Sequence, residues 1–182
     1  MVAQAARQGR HLQRFTRTGL RLVVGCIPYK FEEDIRMEPI GQSLQVLVIS
    51  SQNGQELMFP KGGWEIDESI RDAVHREAME EAGVKGVIER ILGKWRYMGK
   101  ADKSYKYGFM YPLNVKEELL QWPEMGTRHR TWMAADKARE ACKQPWMREA
   151  LDRLQRRLTG GTAANSPCTA IAKMCTSERS AP

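Results

Sequence analysis

Apolar positions along the chain fall into short runs separated by polar connectors. The run from Leu22 to Tyr29 and the alternating stretch from Leu44 to Ser50 are rich in β-branched residues and predict two strands. The polar stretch "KFEEDIRMEPIGQ" between them carries turn residues and predicts a loop. Asn53-Gly54 then signals a hairpin, and "LMF" predicts a short strand that stops at Pro60. Further on, "VIERILGKW" and "YKYGFMYPLNV" alternate as strands around the connector "RYMGKADKS", and "TWM" predicts a third after the polar loop "KEELLQWPEMGTRHR". "AADKAREAC" and "PWMREALDRLQRRL" predict two helices, the second opening on Pro145. A mixed β-sheet sandwiched between helices, of the α/β class, accounts for this order.

One more helix is predicted in "GGWEIDESIRDAVHREAMEEAGV", and its pattern is unusual. Asp67 is the expected N-cap, Glu68 suits the positive end of the dipole, and Gly83 is a C′ residue, so the helix should run from about Glu68 to Ala82. Ile70, Ala73 and Val74 mark its buried face, and continuing that face gives Glu77, Ala78 and Glu81, with Glu80 on its edge. An ionised carboxylate out of water costs several kcal/mol, so these glutamates need arginine partners or hard cations that prefer oxygen ligands. A glutamate-rich helix end is more often a wet surface. Here, however, Gly62 and Gly63 allow close backbone approach just before the helix, and Arg76 stands beside Glu77 as a partner.

Composition narrows the class. A chain of 182 residues with 42% hydrophobic content suits one domain with tails, and no run approaches the roughly 20 apolar residues of a membrane span. Cys26, Cys142, Cys168 and Cys175 form no CxxC pair, which points to reduced thiols and an intracellular compartment. The formal charge of +7 is compatible with a polyanionic partner (nucleic acid, an acidic membrane surface or a small polyphosphate) and equally with a solvated basic surface. Arg7, Arg10, Arg14, Arg17 and Arg21 all precede the first acidic residue, Glu32, so 1–17 reads as a basic segment with a mitochondrial targeting role in view. Residues 18–158 are expected to form the domain, and 159–182, rich in small residues, a disordered tail. His11, His75 and His129 form no metal triad, with His75 read as surface; Cys26 and Trp64, Trp95, Trp132 and Trp146 are read as packing residues, and Trp122 as core or substrate-facing.

The sequence resembles the Nudix box: glycine, five residues, glutamate, seven residues, then Arg-Glu-U-x-Glu-Glu-x-Gly-U, with U a bulky aliphatic. Here Gly62, Glu68, Arg76, Glu77, Glu80, Glu81, Gly83 and Val84 occupy its positions, and Ala78 is the one departure. The wider pattern over about residues 7–155 is similar to plant Nudix hydrolases related to diphosphoinositol polyphosphate phosphohydrolases. The resemblance implies the Nudix fold and Mg²⁺-dependent, or Mn²⁺-dependent, hydrolysis of phosphoanhydride bonds in diphosphoinositol polyphosphates, diadenosine polyphosphates, or both. It makes Glu77 and Glu81 the main metal ligands, and Glu80 a further ligand or the group that activates water. Arg76 and Glu68 would orient the ligands, Gly63 and Gly83 would be structural, and main-chain oxygen near Lys61 or Gly62 would complete the shell. It also implies a substrate clamp of Arg21, Ser50, Ser51, Lys61, Lys103, Lys106, Arg128 and Arg130.

The expected partner is therefore a small polyphosphate, the chain a monomer, and the location cytoplasmic or mitochondrial. Two alternatives stay open from the residues. One is a hydrolase of the same fold acting on ADP-ribose or capped RNA; the other is a basic nucleic-acid-binding module, for which "KSYKYGF" supplies aromatics among lysines.

Overall fold

The computed structural model describes residues 12–34, 41–54, 56–100 and 102–160. Eight strands form one mixed sheet: β1 (Arg21–Asp34), β2 (Gly41–Ser50), β3 (Leu57–Met58), β4 (Lys61–Gly63), β5 (Val84–Ile88), β6 (Gly93–Met98), β7 (Tyr105–Glu118) and β8 (Arg130–Ala134). α1 (Ile70–Ala82) lies between β4 and β5, and α2 (Ala135–Ala141) and α3 (Pro145–Gly160) close the described chain. The path through the sheet is β3-β2-β1-β7-β5, with β4 on β1, β6 on β7 and β8 on β2. Only the β1–β7 pair is parallel among these, so the sheet is mixed.

Strand alternation sorts the apolar residues into two layers. Val24, Cys26, Leu47, Ile49, Tyr111 and Leu113 pack under Ala73, Val74, Ala78 and Ala82 of α1. Ile27, Tyr29, Val46, Val48 and Met110 face the other way, against Ala135 and Ala138 of α2 and Met147, Leu151 and Leu154 of α3. Ala78 itself is fully buried.

Several boundaries differ from expectation. The first two strands run well into the segment read as a loop, because Lys30↔Gln45, Phe31↔Leu44 and Glu32↔Ser43 continue the antiparallel ladder. Cross-strand pairing there outweighs the polar composition. Gly62 and Gly63, for which no strand was expected, form β4, paired with Val24 and Val23 of β1. "VIERILGKW" divides into β5 and β6, since Glu89 N donates to Pro112 O and Leu92 N to Met110 O, and the intervening residues bulge from the edge of β7. Arg157 and Arg153 of α3 fasten that bulge by donating to Ile91 O at 2.8 Å and Leu92 O at 3.1 Å.

The predicted helix start also shifts. Ser69, not Asp67, is the N-cap of α1: its hydroxyl accepts from Asp72 N, and the Asp72 carboxylate accepts from Ser69 N. That reciprocal box satisfies two orphan donors at once, which a cap at Asp67 would not. Gly83 ends the helix as expected, at φ 62°. The chain pairs from Leu12 onward, ahead of the expected domain start, since Ile66 N donates to Leu12 O and Arg14 N to Trp64 O. At the other end Thr159 and Gly160 are helical, the Thr159 hydroxyl on Gln155 O at 2.9 Å; residues 161–182 of the expected tail lie outside the described residues, as do His11, Cys168 and Cys175.

Candidate active site

The site sits where the last two turns of α1 face β4. Glu77, Glu80 and Glu81 lie on the side of α1 that also buries Val74 and Ala78, and they are exposed by only 6%, 5% and 5%. Gly62 opposes them so closely that a Cβ there would overlap the Glu77 carboxylate. Its φ lies outside the left-handed region, so glycine is required for room and not for backbone freedom.

Each buried carboxylate is held by an arginine. Arg76 donates to Glu77 Oε1 at 2.7 Å, to Glu68 at 2.7 and 3.0 Å, and to Gly63 O at 2.9 Å, and it lies 3.5 Å from Glu80. Glu81 accepts the Lys61 backbone N–H on Oε2 at 2.8 Å and pairs through Oε1 with Arg128. Arg128 also donates to Glu124 at 2.6 Å and to Ser50 O at 3.0 Å. The inward charge is therefore compensated by guanidinium groups, as burial demands.

The balance is incomplete. Burial pushes the Glu77 carboxyl up to about 8, the Glu81 charge adds to the rise, and Arg76 only partly opposes it. Burial likewise raises Glu81 against the pull of Lys61 and Arg128. Burial lowers the Lys61 ammonium, with Glu81 opposing and the charges of Arg128 and Lys106 reinforcing. Among the described residues no three His, Cys, Asp or Glu side chains are already gathered in cation-holding geometry, the carboxylates being turned onto arginine. The donor set nonetheless fits a hard divalent cation: it is all carboxylate, and an ionised carboxylate with about four acceptor positions keeps capacity beyond one arginine bond.

Not all residues of the expected clamp come together. Arg21 and Lys106 are partners at the starts of the parallel strands β1 and β7, and the Lys106 charge is felt at Lys61 on β4. Gly63 and Gly99 leave room for them, since a Cβ at those positions would meet Arg21 Nη2 and Lys106 Nζ. Lys106 lies 3.1 Å from Asp102, and its hydrogen bond holds the Asp102 carboxyl down at about 2. Lys103 stands exposed at φ 50° on the connection between β6 and β7. Ser50 is buried and its hydroxyl accepts from His129 N at 3.0 Å, while the Ser51 hydroxyl donates to Asn53 at 2.5 Å.

Arg128 and Arg130 point into the protein. Arg130 donates to Ala82 O, Gly83 O and Leu119 O at 2.9, 3.0 and 2.8 Å and lies 4.1 Å over the Trp122 ring. It thereby occupies carbonyls at the C-terminal end of α1, where a cation complements the dipole. Trp122 is half-buried and covers Gly83, under the Arg130 guanidinium. Glu124 was missed from sequence, and no local pattern in "QWPEMGTRHR" distinguishes it. His75 is exposed, and Cys26 is a fully buried free thiol whose pKa burial raises.

The sequence model of the NUDIX domain matches residues 21–154. The chain belongs to the Nudix hydrolase family. It is thus an enzyme acting on pyrophosphate bonds, and Nudix hydrolases generally use divalent metals such as Mg²⁺. It is 52% identical over 160 residues to Nudix hydrolase 18, mitochondrial, of Arabidopsis thaliana, covering 87% of this chain and 89% of the relative. It is also 30% identical to diphosphoinositol polyphosphate phosphohydrolase 2 of Rattus norvegicus over 78% of this chain and 74% of that protein. Among solved structures, the Ap4A hydrolase of C. elegans in a binary complex aligns with a TM-score of 0.58 at 18% identity, over 78% of this chain and 99% of that one. At that identity the structural likeness speaks for the Nudix fold alone.

Proposed function

We propose that this Nudix hydrolase cleaves phosphoanhydride bonds in small, densely charged polyphosphates, namely diphosphoinositol polyphosphates, diadenosine polyphosphates, or both. The observation that carries this reading is the meeting of two surfaces. Buried glutamates on α1 oppose Gly62, while Arg21 and Lys106 pair near the starts of β1 and β7, and Lys61, opposite Gly25 on the antiparallel β4, lies within reach of the charges of both Lys106 and Glu81. A nucleoside diphosphate sugar needs fewer cationic partners than a phosphate-crowded ring or a long phosphate bridge, so the lysine and arginine surplus favours the more highly charged substrate. The name of the rat relative agrees in kind.

In this reading Glu77 and Glu81 are the principal ligands of Mg²⁺ or Mn²⁺, with Glu80 beside them. A bound divalent cation supplies charge that stabilises the phosphoryl oxygens and eases deprotonation of water. The chain's own residues do the rest. Arg76, braced by Glu68, keeps Glu77 facing Gly62, and Arg21, Lys61 and Lys106 hold the substrate phosphates so that the scissile bond lies against the helix. A water attacks phosphorus as the bridging P–O bond breaks, and Glu80 takes up the proton that the water gives up.

The test is an assay of the purified full chain with Mg²⁺ against diphosphoinositol polyphosphates, diadenosine polyphosphates, ADP-ribose and capped RNA in parallel. Higher kcat/KM for either of the first two is expected, and both should be nearly abolished by Glu77→Gln or Glu81→Gln in a folded protein. A clear preference for ADP-ribose or capped RNA would overturn the substrate reading, and full activity in either variant would overturn the ligand assignment.

A further inference from the structure

The two principal carboxylates of the site are held by two arms of the same construction, only one of which belongs to the Nudix box. In the first, Glu68 grips Arg76, and Arg76 grips Glu77. In the second, Glu124 grips Arg128, and Arg128 grips Glu81 across 47 positions of sequence. The second arm is as deeply set as the first, with Arg128 exposed by only 6%.

We infer that Arg128, braced by Glu124, is a positioning residue that presents the Glu81 carboxylate to the cation, and not part of the substrate clamp. The inference rests on the metal reading of Glu81 proposed above. Three directions of the Arg128 guanidinium are taken: Nη2 by Glu81, Nε by Glu124 at 2.6 Å and Nη1 by Ser50 O at 3.0 Å. A fork so engaged has little left for a phosphate, whereas it fixes one oxygen of Glu81 while the Lys61 N–H fixes the other at 2.8 Å. Glu124 is itself tied to the catalytic helix. Its N–H donates to Glu80 O at 3.1 Å, and Arg128 N returns to Glu124 O at 2.9 Å, so the turn between them rides on the last turn of α1.

The test is direct binding of Mn²⁺ to the full chain without substrate, followed by electron paramagnetic resonance of the free ion, with kinetics alongside. Arg128→Lys keeps the charge but loses the fork, and it should weaken Mn²⁺ binding by about tenfold or more, the usual cost of losing a residue that orients a metal ligand. Arg128→Gln should weaken it as well, while KM for the polyphosphate at saturating Mn²⁺ stays near that of the parent. Unchanged Mn²⁺ affinity with a raised KM would return Arg128 to the clamp, and tighter Mn²⁺ binding in Arg128→Gln would make it merely a repelling charge; either overturns the inference. Glu124→Gln leaves Arg128 in place and should shift Mn²⁺ binding in the same direction to a smaller extent, so the proposal stays open to refutation even where Arg128 variants fail to fold. Glu81→Gln separates the two levels: if it leaves Mn²⁺ binding intact, the metal reading falls and the positioning role with it; if it weakens binding and Arg128→Lys does not, only the positioning role falls.

Discussion

Gly62 and Gly63 are adjacent on β4 and face opposite sides of the sheet, so substituting each with alanine separates the side toward Glu77 from the side toward Arg21, the proposed metal and phosphate contacts. At Gly62 the new methyl would overlap the Oε1, Oε2 and Cδ atoms of Glu77. Backbone strain does not enter, because Gly62 is not in the left-handed region. The whole effect falls on the carboxylate, which must retreat by about 1 Å to regain ordinary contact, a displacement of the size that costs roughly 100-fold when a reacting group is misplaced. That is about 2.7 kcal/mol on the barrier. Retreat also disturbs the 2.7 Å bond to Arg76, a charge-assisted bond worth about 1.5–3 kcal/mol of stability.

At Gly63 the methyl meets the ends of the Gln13 and Arg21 side chains, which can swing away. Gly63→Ala should therefore leave kcat close to that of the parent and raise KM, through Arg21. Steady-state phosphate release with Mg²⁺ and thermal melting check both variants, the melting midpoint of Gly62→Ala falling by roughly 2–4 °C per kcal/mol lost in a domain of this size. Parental kcat in Gly62→Ala, or an equal loss of kcat in both variants, would refute the placement of Glu77 as the group that the glycine makes room for.

Two further substitutions separate structural from substrate-facing arginine and lysine. Arg130→Ala removes two bonds to carbonyls at the end of α1, one to Leu119 O and the contact with Trp122, and should cost about 3 kcal/mol in urea denaturation with KM unchanged; a raised KM without loss of stability would place Arg130 on the substrate instead. Lys106→Ala should raise KM for a polyphosphate more at low than at high ionic strength, because salt screens this partly exposed charge; a KM that does not move at any salt would remove Lys106 from the clamp.

What the sequence disclosed follows from how local each feature is. The glutamates of α1 were legible because a single helix carries them at its own period, and the burial of Val74 and Ala78 on the same side confirms the register. The helix start was not legible, since Asp67 and Ser69 are both good caps. What decides between them is Asp72, which completes the box with Ser69, and Arg76, which draws Glu68 out of the helix as a side-chain acceptor. β4 was hidden because glycine pairs carry no strand propensity; only the partner strand β1 makes one of them. Arg128 was visible only as a basic residue near phosphate-binding loops, for its sign says nothing about which way it points.

The charges linked around α1 also explain why two arginine arms are needed. Glu68, Glu77, Glu80, Glu81 and Glu124 form one group with Arg76, Arg128 and Lys61, so carboxylates outnumber cationic side chains by two. Burial raises Glu77 to about 8 even beside an arginine, and the charge of Glu81 adds to the rise. No arginine at all would leave buried carboxylates at a cost of several kcal/mol each. Two arginine arms, each on one of these carboxylates, lower the cost of burying them, and under the metal reading proposed above a dication would offset the charge that remains.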